Sequence, residues 1–235
     1  MAKGFFITGT DTGVGKTVIA GAVIRVLHSL GIRTCAMKPI ESGCGREDTI
    51  LIPHDGTLLK QTARMEDPIR HIVPYCFENP LSPFSAAETE GREISIHEIK
   101  KAYYRLYNSY EAIVVEGIGG IMVPIKKDYY VVDLAKEFSL PLLVVIKPGL
   151  GTINHTMLTV HYALEQGLEV AGLIINYSSP PANSLAEETN PNVLREICPV
   201  PILGTFPHLE GKDEDVLEKT ALKNFDIEAL KKYIL

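Results

Sequence analysis

Residues 9–17 of this chain, Gly9-Thr10-Asp11-Thr12-Gly13-Val14-Gly15-Lys16-Thr17, stand between an apolar run and a helical pattern, and that placement restricts the fold more than any other feature. Residues 4–8 before the string read as a strand. After it, Val18, Ile19, Ala22, Val23, Val26, Leu27 and Leu30 recur at helical spacing and predict a helix over 16–30, stopped at Gly31. A strand that turns through a glycine-rich loop into a helix is the opening unit of an α/β sheet. Further strands are predicted over 33–37, 112–115, 141–146, 170–175 and 202–204, and helices over 58–64, 94–109, 131–138, 154–166, 182–197 and 227–234. Leu142–Ile146 is apolar without alternation, as in a parallel strand covered on both faces. The expected architecture is a doubly wound α/β fold: a mostly parallel sheet with helices on both faces, in one domain spanning 1–235.

The loop also has a chemistry. Its glycines let backbone N–H groups turn inward around phosphate oxygens, and the following helix adds the favourable end of its dipole. Gly13, Val14 and Gly15 form the cradle, Lys16 can reach the outer phosphates, and Thr17 can place its hydroxyl on Mg²⁺. The usual phosphate-loop pattern has a glycine where Thr10 stands, and Gly9 lies one residue further back. Partitioning ATPases with a deviant loop carry a signature lysine where this chain has Asp11. That argues against the alternative reading, a nucleotide-dependent switch or partitioning-type ATPase.

Other polar residues fall just beyond predicted strands, on the edge where such sheets bind ligands. Glu116 ends the run Ile113-Val114-Val115 and suits Mg²⁺; helix capping is its plainer role. Asp55 is the second carboxylate candidate, although an Asp before Gly56 is also common in turns. Lys38 either neutralises charge on a transferring phosphoryl group or extends to solvent. Residues 149–154 form a second glycine-containing loop, either an anion site for a substrate carboxylate or an ordinary helix start. Residues 67–91, rich in proline and aromatics, are too long for a plain connection and read as a substrate wall or a surface excursion.

The net charge of −6 and the lack of a basic tract argue against nucleic-acid or membrane-surface partners. No apolar stretch is long enough to span a bilayer, no signal peptide is expected, and Cys35, Cys44, Cys76 and Cys198 show no metal-binding spacing. A cytoplasmic protein with free thiols is expected.

The motifs Gly9-Thr10-Asp11-Thr12-x-Val14-Gly15-Lys16-Thr17, Lys38-Pro39-x-x-Ser42-Gly43, Val115-Glu116-Gly117-x-Gly119-Gly120 and Gly151-x-Ile153-Asn154-His155, with Asn176 and Pro180-Pro181, together resemble dethiobiotin synthetase over nearly the whole chain. The resemblance implies an ATP-dependent cyclo-ligase of biotin biosynthesis. In that family 7,8-diaminononanoate takes up CO₂ as a carbamate, ATP phosphorylates the carbamate, and the second amine closes the cyclic urea. It implies that Lys16, Lys38 and Thr12 are catalytic, and that Thr17, Asp55 and Glu116 serve Mg²⁺. Ser42 and Thr12 hold the carbamate or diamine end. Gly151, Thr152, Ile153 and Asn154 bind the substrate carboxylate across a homodimer. Gly117 and Gly119 join the ATP contacts, and Asn176, Pro207, His208 and Leu209 flank the adenine. Gly13 departs from the Glu often found there, and Tyr177 departs from an expected Asp. The related amide-forming synthetases of cobalamin synthesis carry an additional ammonia-generating domain, for which no room is expected here.

Overall fold

The computed structural model describes residues 3–211 and 213–234. Six parallel strands make the central sheet: β1 Gly4–Gly9, β2 Thr34–Met37, β3 Ala112–Glu116, β4 Leu142–Ile146, β5 Val170–Asn176 and β6 Ile202–Phe206. Their order across the sheet is β6-β5-β4-β1-β3-β2. Strands β1 to β5 are buried along their length. That is the physical reason their sequences run apolar without alternation: helices cover both faces.

The principal helices are α1 Lys16–Ser29, α2 His54–Thr62, α3 Ile96–Tyr107, α4 Val131–Phe138, α5 Thr152–Glu165, α6 Leu185–Ile197 and α7 Glu214–Asn224. Helix α1 is buried almost all round, because it lies between the sheet and α7. The apolar spacing of α1 marks its sheet-facing side. Its Arg25 is 5% exposed and reaches Glu214 and Glu218 on α7 at 3.3 and 2.6 Å. Sequence patterning does not predict α7, whose buried side is limited to Leu217 and Ala221. The predicted terminal helix is shorter than expected, Ile227–Lys231, and α2 begins earlier, at His54.

Residues 67–91 are ordered. They contain short helices Ile69–Ile72 and Pro83–Thr89, and a strand Tyr75–Phe77 that pairs in parallel with Ile40–Ser42. Phe77 is fully buried, so this segment is anchored to the core rather than draped over it.

The strand order places the switch point of the sheet beside β1. The chain leaves β1 toward the β2 edge and leaves β3 toward β4 on the other side of β1. Loops leaving such a point diverge and open a crevice beyond the strand ends. The glycine loop after β1 and Glu116 at the end of β3 both face that crevice.

Candidate active site

Gly15 caps α1 in the left-handed conformation, with φ 89°, and no side chain caps the helix. Glycine is required there twice over. Any Cβ would be strained at that φ, and it would lie 2.0 Å from Asn176 Nδ2. That amide donates to the Val14 carbonyl at 2.7 Å, so the end of β5 braces the loop that follows β1. The free N–H groups of the first turn of α1 are thereby held open toward the crevice.

Three charged side chains meet there. Lys38, 5% exposed just beyond β2, donates to Glu116 Oε1 at 2.6 Å and to Asp55 Oδ2 at 2.7 Å. Thr17 Oγ1 donates to the same Glu116 oxygen at 3.0 Å, while Glu116 Oε2 is buried without a partner. Burial alone would lower the pKa of Lys38, but Glu116 and then Asp55 outweigh it and hold the ammonium above the ordinary lysine value. Lys16 is the contrasting case. Burial dominates and lowers its pKa despite Glu116, and its Nζ donates to the Asp11 carbonyl at 3.0 Å.

These groups line one cavity of about 490 Å³, with Thr12, Gly13, Ser42 and Gly119 in its wall. The snorkelling alternative for Lys38 is excluded, since its head group points into the protein. The segment 67–91 supplies Pro80, Leu81 and Ser82 to the same wall. Glu41 also lines it. Sequence reading gives Glu41 no role, because its partners are backbone N–H groups 14 and 15 positions away.

Other predicted residues lie elsewhere. Gly117 packs against Phe6, where a Cβ would be 2.9 Å from the ring, and it does not line the cavity of Lys16 and Lys38. Pro207 and His208 line a separate cavity of about 540 Å³ with Tyr177, Asn183 and Glu187. Asn176 is 2% exposed and does not line that cavity, and Leu209 packs on the core. Thr152 lines a third cavity of about 380 Å³ with Lys147, His155 and Asp11. Gly151 and Asn154 are exposed, so residues 151–154 are not brought to the Lys38 cavity within one chain.

A family model described as an AAA domain matches residues 3–215. The ATP-dependent dethiobiotin synthetase BioD of Thermodesulfovibrio yellowstonii is 47% identical over 98% of this chain and 99% of its own length. The enzymes of the same name from Bacillus licheniformis and Bacillus subtilis strain 168 are 42% and 41% identical, over 88% and 92% of this chain and 87% and 91% of theirs. The chain belongs to the ATP-dependent dethiobiotin synthetase family. It is thus an ATP-dependent ligase by family, built on a doubly wound phosphate-loop fold.

Solved structures agree on the fold. The MinD cell division protein of Aquifex aeolicus superposes with a TM-score of 0.59 at 17% identity, over 98% of this chain and 96% of that one. A ParA family ATPase from Chlorobium tepidum TLS gives 0.54 at 14%, over 100% and 97%. Two features of this dethiobiotin synthetase-family chain explain its departures from pattern. Gly13 adopts φ 71°, and a Cβ there would meet nothing within 4 Å, so glycine relaxes the backbone of an open loop crest. Tyr177 is partly buried and forms a wall shared by the second and third cavities.

Proposed function

We propose that the Lys38 cavity forms dethiobiotin from 7,8-diaminononanoate, CO₂ and ATP. The observation that carries this reading is the Lys38 ammonium set between Glu116 and Asp55 and facing the glycine loop. An ATPase that only binds and releases nucleotide has no need of a buried second lysine on the substrate side. A carbamate does, because its oxygen attacks a phosphoryl group whose charge spreads onto the equatorial oxygens.

In the proposed sequence an amine of the substrate takes up CO₂ as a carbamate near Ser42 and Thr12. Lys16 binds the triphosphate, and Lys38 stabilises the developing charge as the carbamate oxygen takes the γ-phosphoryl group and ADP leaves. The second amine then attacks the carbonyl carbon, and inorganic phosphate departs with its bonding pair. Gly13, Val14, Gly15 and Gly119 supply the phosphate contacts, and the Pro207–His208 cavity the base site.

Thr17, Glu116 and Asp55 fit Mg²⁺. They are hard oxygen donors, and Glu116 Oε2 is a buried oxygen with no partner. An ion of this kind takes one or two carboxylates together with phosphate oxygens. Bound there, Mg²⁺ would neutralise charge on the β- and γ-phosphates.

Gly151, Thr152, Ile153 and Asn154 are assigned to the substrate carboxylate of a neighbouring copy, in a homodimer. Support comes from the exposed apolar side chains beside them, Leu150 at 95% and Leu158 at 64%. A single cytoplasmic domain over 1–235 completes the reading. No helix among the described residues is long and apolar enough to cross a membrane.

The test is product formation. Purified protein with ATP, Mg²⁺, bicarbonate and 7,8-diaminononanoate is expected to release one ADP per dethiobiotin. ATP consumption that is independent of the diamine overturns the assignment.

A further inference from the structure

Helix α2 has no local cap. Its N-cap position is Pro53, which offers no side-chain acceptor, so the first-turn N–H groups need a partner from elsewhere. Glu41 provides it. One carboxylate oxygen accepts from the Asp55 N–H and the other from the Gly56 N–H, both at 2.9 Å. Glu41 is 4% exposed and sits in the strand Ile40–Ser42, three residues beyond Lys38. The site opposite is equally constrained, because a Cβ on Gly56 would lie 2.0 Å from Val73 Cγ2. The first turn of α2 is therefore clamped between Glu41 and Val73, with Asp55 projecting from it to Lys38 Nζ at 2.7 Å.

We propose that Glu41 is a positioning residue, whose carboxylate fixes the first turn of α2 and so holds the Asp55 carboxylate where Lys38 and Mg²⁺ share it. This rests on the metal assignment made above. Both Glu41 oxygens accept from backbone N–H groups of the first turn of α2, so its path to the metal ligand runs through that turn to Asp55. An outer carboxylate that orients an oxygen ligand typically matters about 10–100-fold in metal affinity.

The experiment compares Glu41→Ala, Glu41→Gln, Asp55→Asn and the double variant Glu41→Ala/Asp55→Asn in the full chain. Mg²⁺ is titrated calorimetrically into protein saturated with a non-hydrolysable ATP analogue, and amide exchange is followed at residues 55 and 56. Glu41→Ala is expected to weaken Mg²⁺ about 10–100-fold, with faster exchange at both amides. Glu41→Gln keeps one acceptor and is expected to fall between it and the parent. The double variant should be no weaker than Asp55→Asn alone, since both act through one carboxylate. A lower melting temperature with unchanged Mg²⁺ affinity overturns the proposal, as does additivity in the double variant. If Glu41→Ala does not fold, Glu41→Gln decides, and parental affinity there overturns it. Failure of the functional reading looks different: the parent would bind Mg²⁺ and the analogue but form no dethiobiotin.

Discussion

Two helices of this protein begin in the same way and stand in different surroundings. Helices α1 and α5 are both 14 residues long, and each starts at a left-handed glycine with no side-chain cap, Gly15 at φ 89° and Gly151 at φ 90°. Both present free N–H groups that suit an anion. Around α1 the chain has gathered Lys16, Lys38, Glu116 and Asp55 into one cavity wall. Around α5 it has set Thr152 in a cavity with Lys147, His155 and Asp11, and has left Leu150 and Asn154 in the open. A helix start is a general anion acceptor, and what it can hold depends on the charge and shape that the rest of the fold brings against it.

The comparison breaks most sharply at Lys16. Lys16→Ala is expected to lower ATP turnover by more than about a thousandfold, because Lys16 is the one cation in the sequence of the loop, residues 9–17. An enzyme that still turns over ATP would mean that α1 is no more a reaction site than α5.

Lys38→Gln is expected to cost turnover on the order of a hundred- to thousandfold. Nucleotide affinity should stay within roughly tenfold, about 1.4 kcal/mol. Measured on one preparation, equal losses in both would make Lys38 a binding group. The same variant leaves Glu116 buried without its cation, so its melting temperature should fall in metal-free buffer and recover with Mg²⁺.

The open end of α5 is probed by mixing. Gly151→Val and Lys16→Ala are each expected to be nearly inactive alone, and their mixture to regain part of the activity through hybrid dimers with one intact site. Activity of the unsubstituted protein should also fall on dilution as dimers separate. A fully active monomer removes α5 from the site.

The smallest expected effect is a matched pair at the two glycines, read by thermal melting. Gly151→Ala meets open space and should cost only the left-handed strain, about 1–2 kcal/mol. Gly15→Ala carries the same strain and must also displace Asn176, so it should cost more. Equal losses would show that the brace from β5 contributes little.

Much of this is legible in the order of residues. Unbroken apolar runs give the buried parallel strands, because a residue covered on both faces has no polar alternative. The glycine string gives the loop after β1 for the same local reason. Helix α7 is not legible, since its buried side is two residues and its ion-pair partners are Arg25 and Arg64 from distant parts of the chain. Asn176 reads from the family resemblance as a base contact, and its amide also braces Val14, a pairing across 162 positions that no local pattern encodes.

What the sequence determined by itself is therefore local: strand and helix type, the glycine cradle, and the placing of polar residues beyond strand ends. Tertiary structure decided which of them meet. Lys38 and Glu116 are 78 residues apart and Glu41 and Asp55 are 14 apart, yet all four converge within hydrogen-bonding reach. They do so because β3 lies between β1 and β2 in the sheet, which brings the ends of those strands side by side. Strand order is set by long-range packing of apolar faces, and a charged residue at a strand end inherits its partners from that packing.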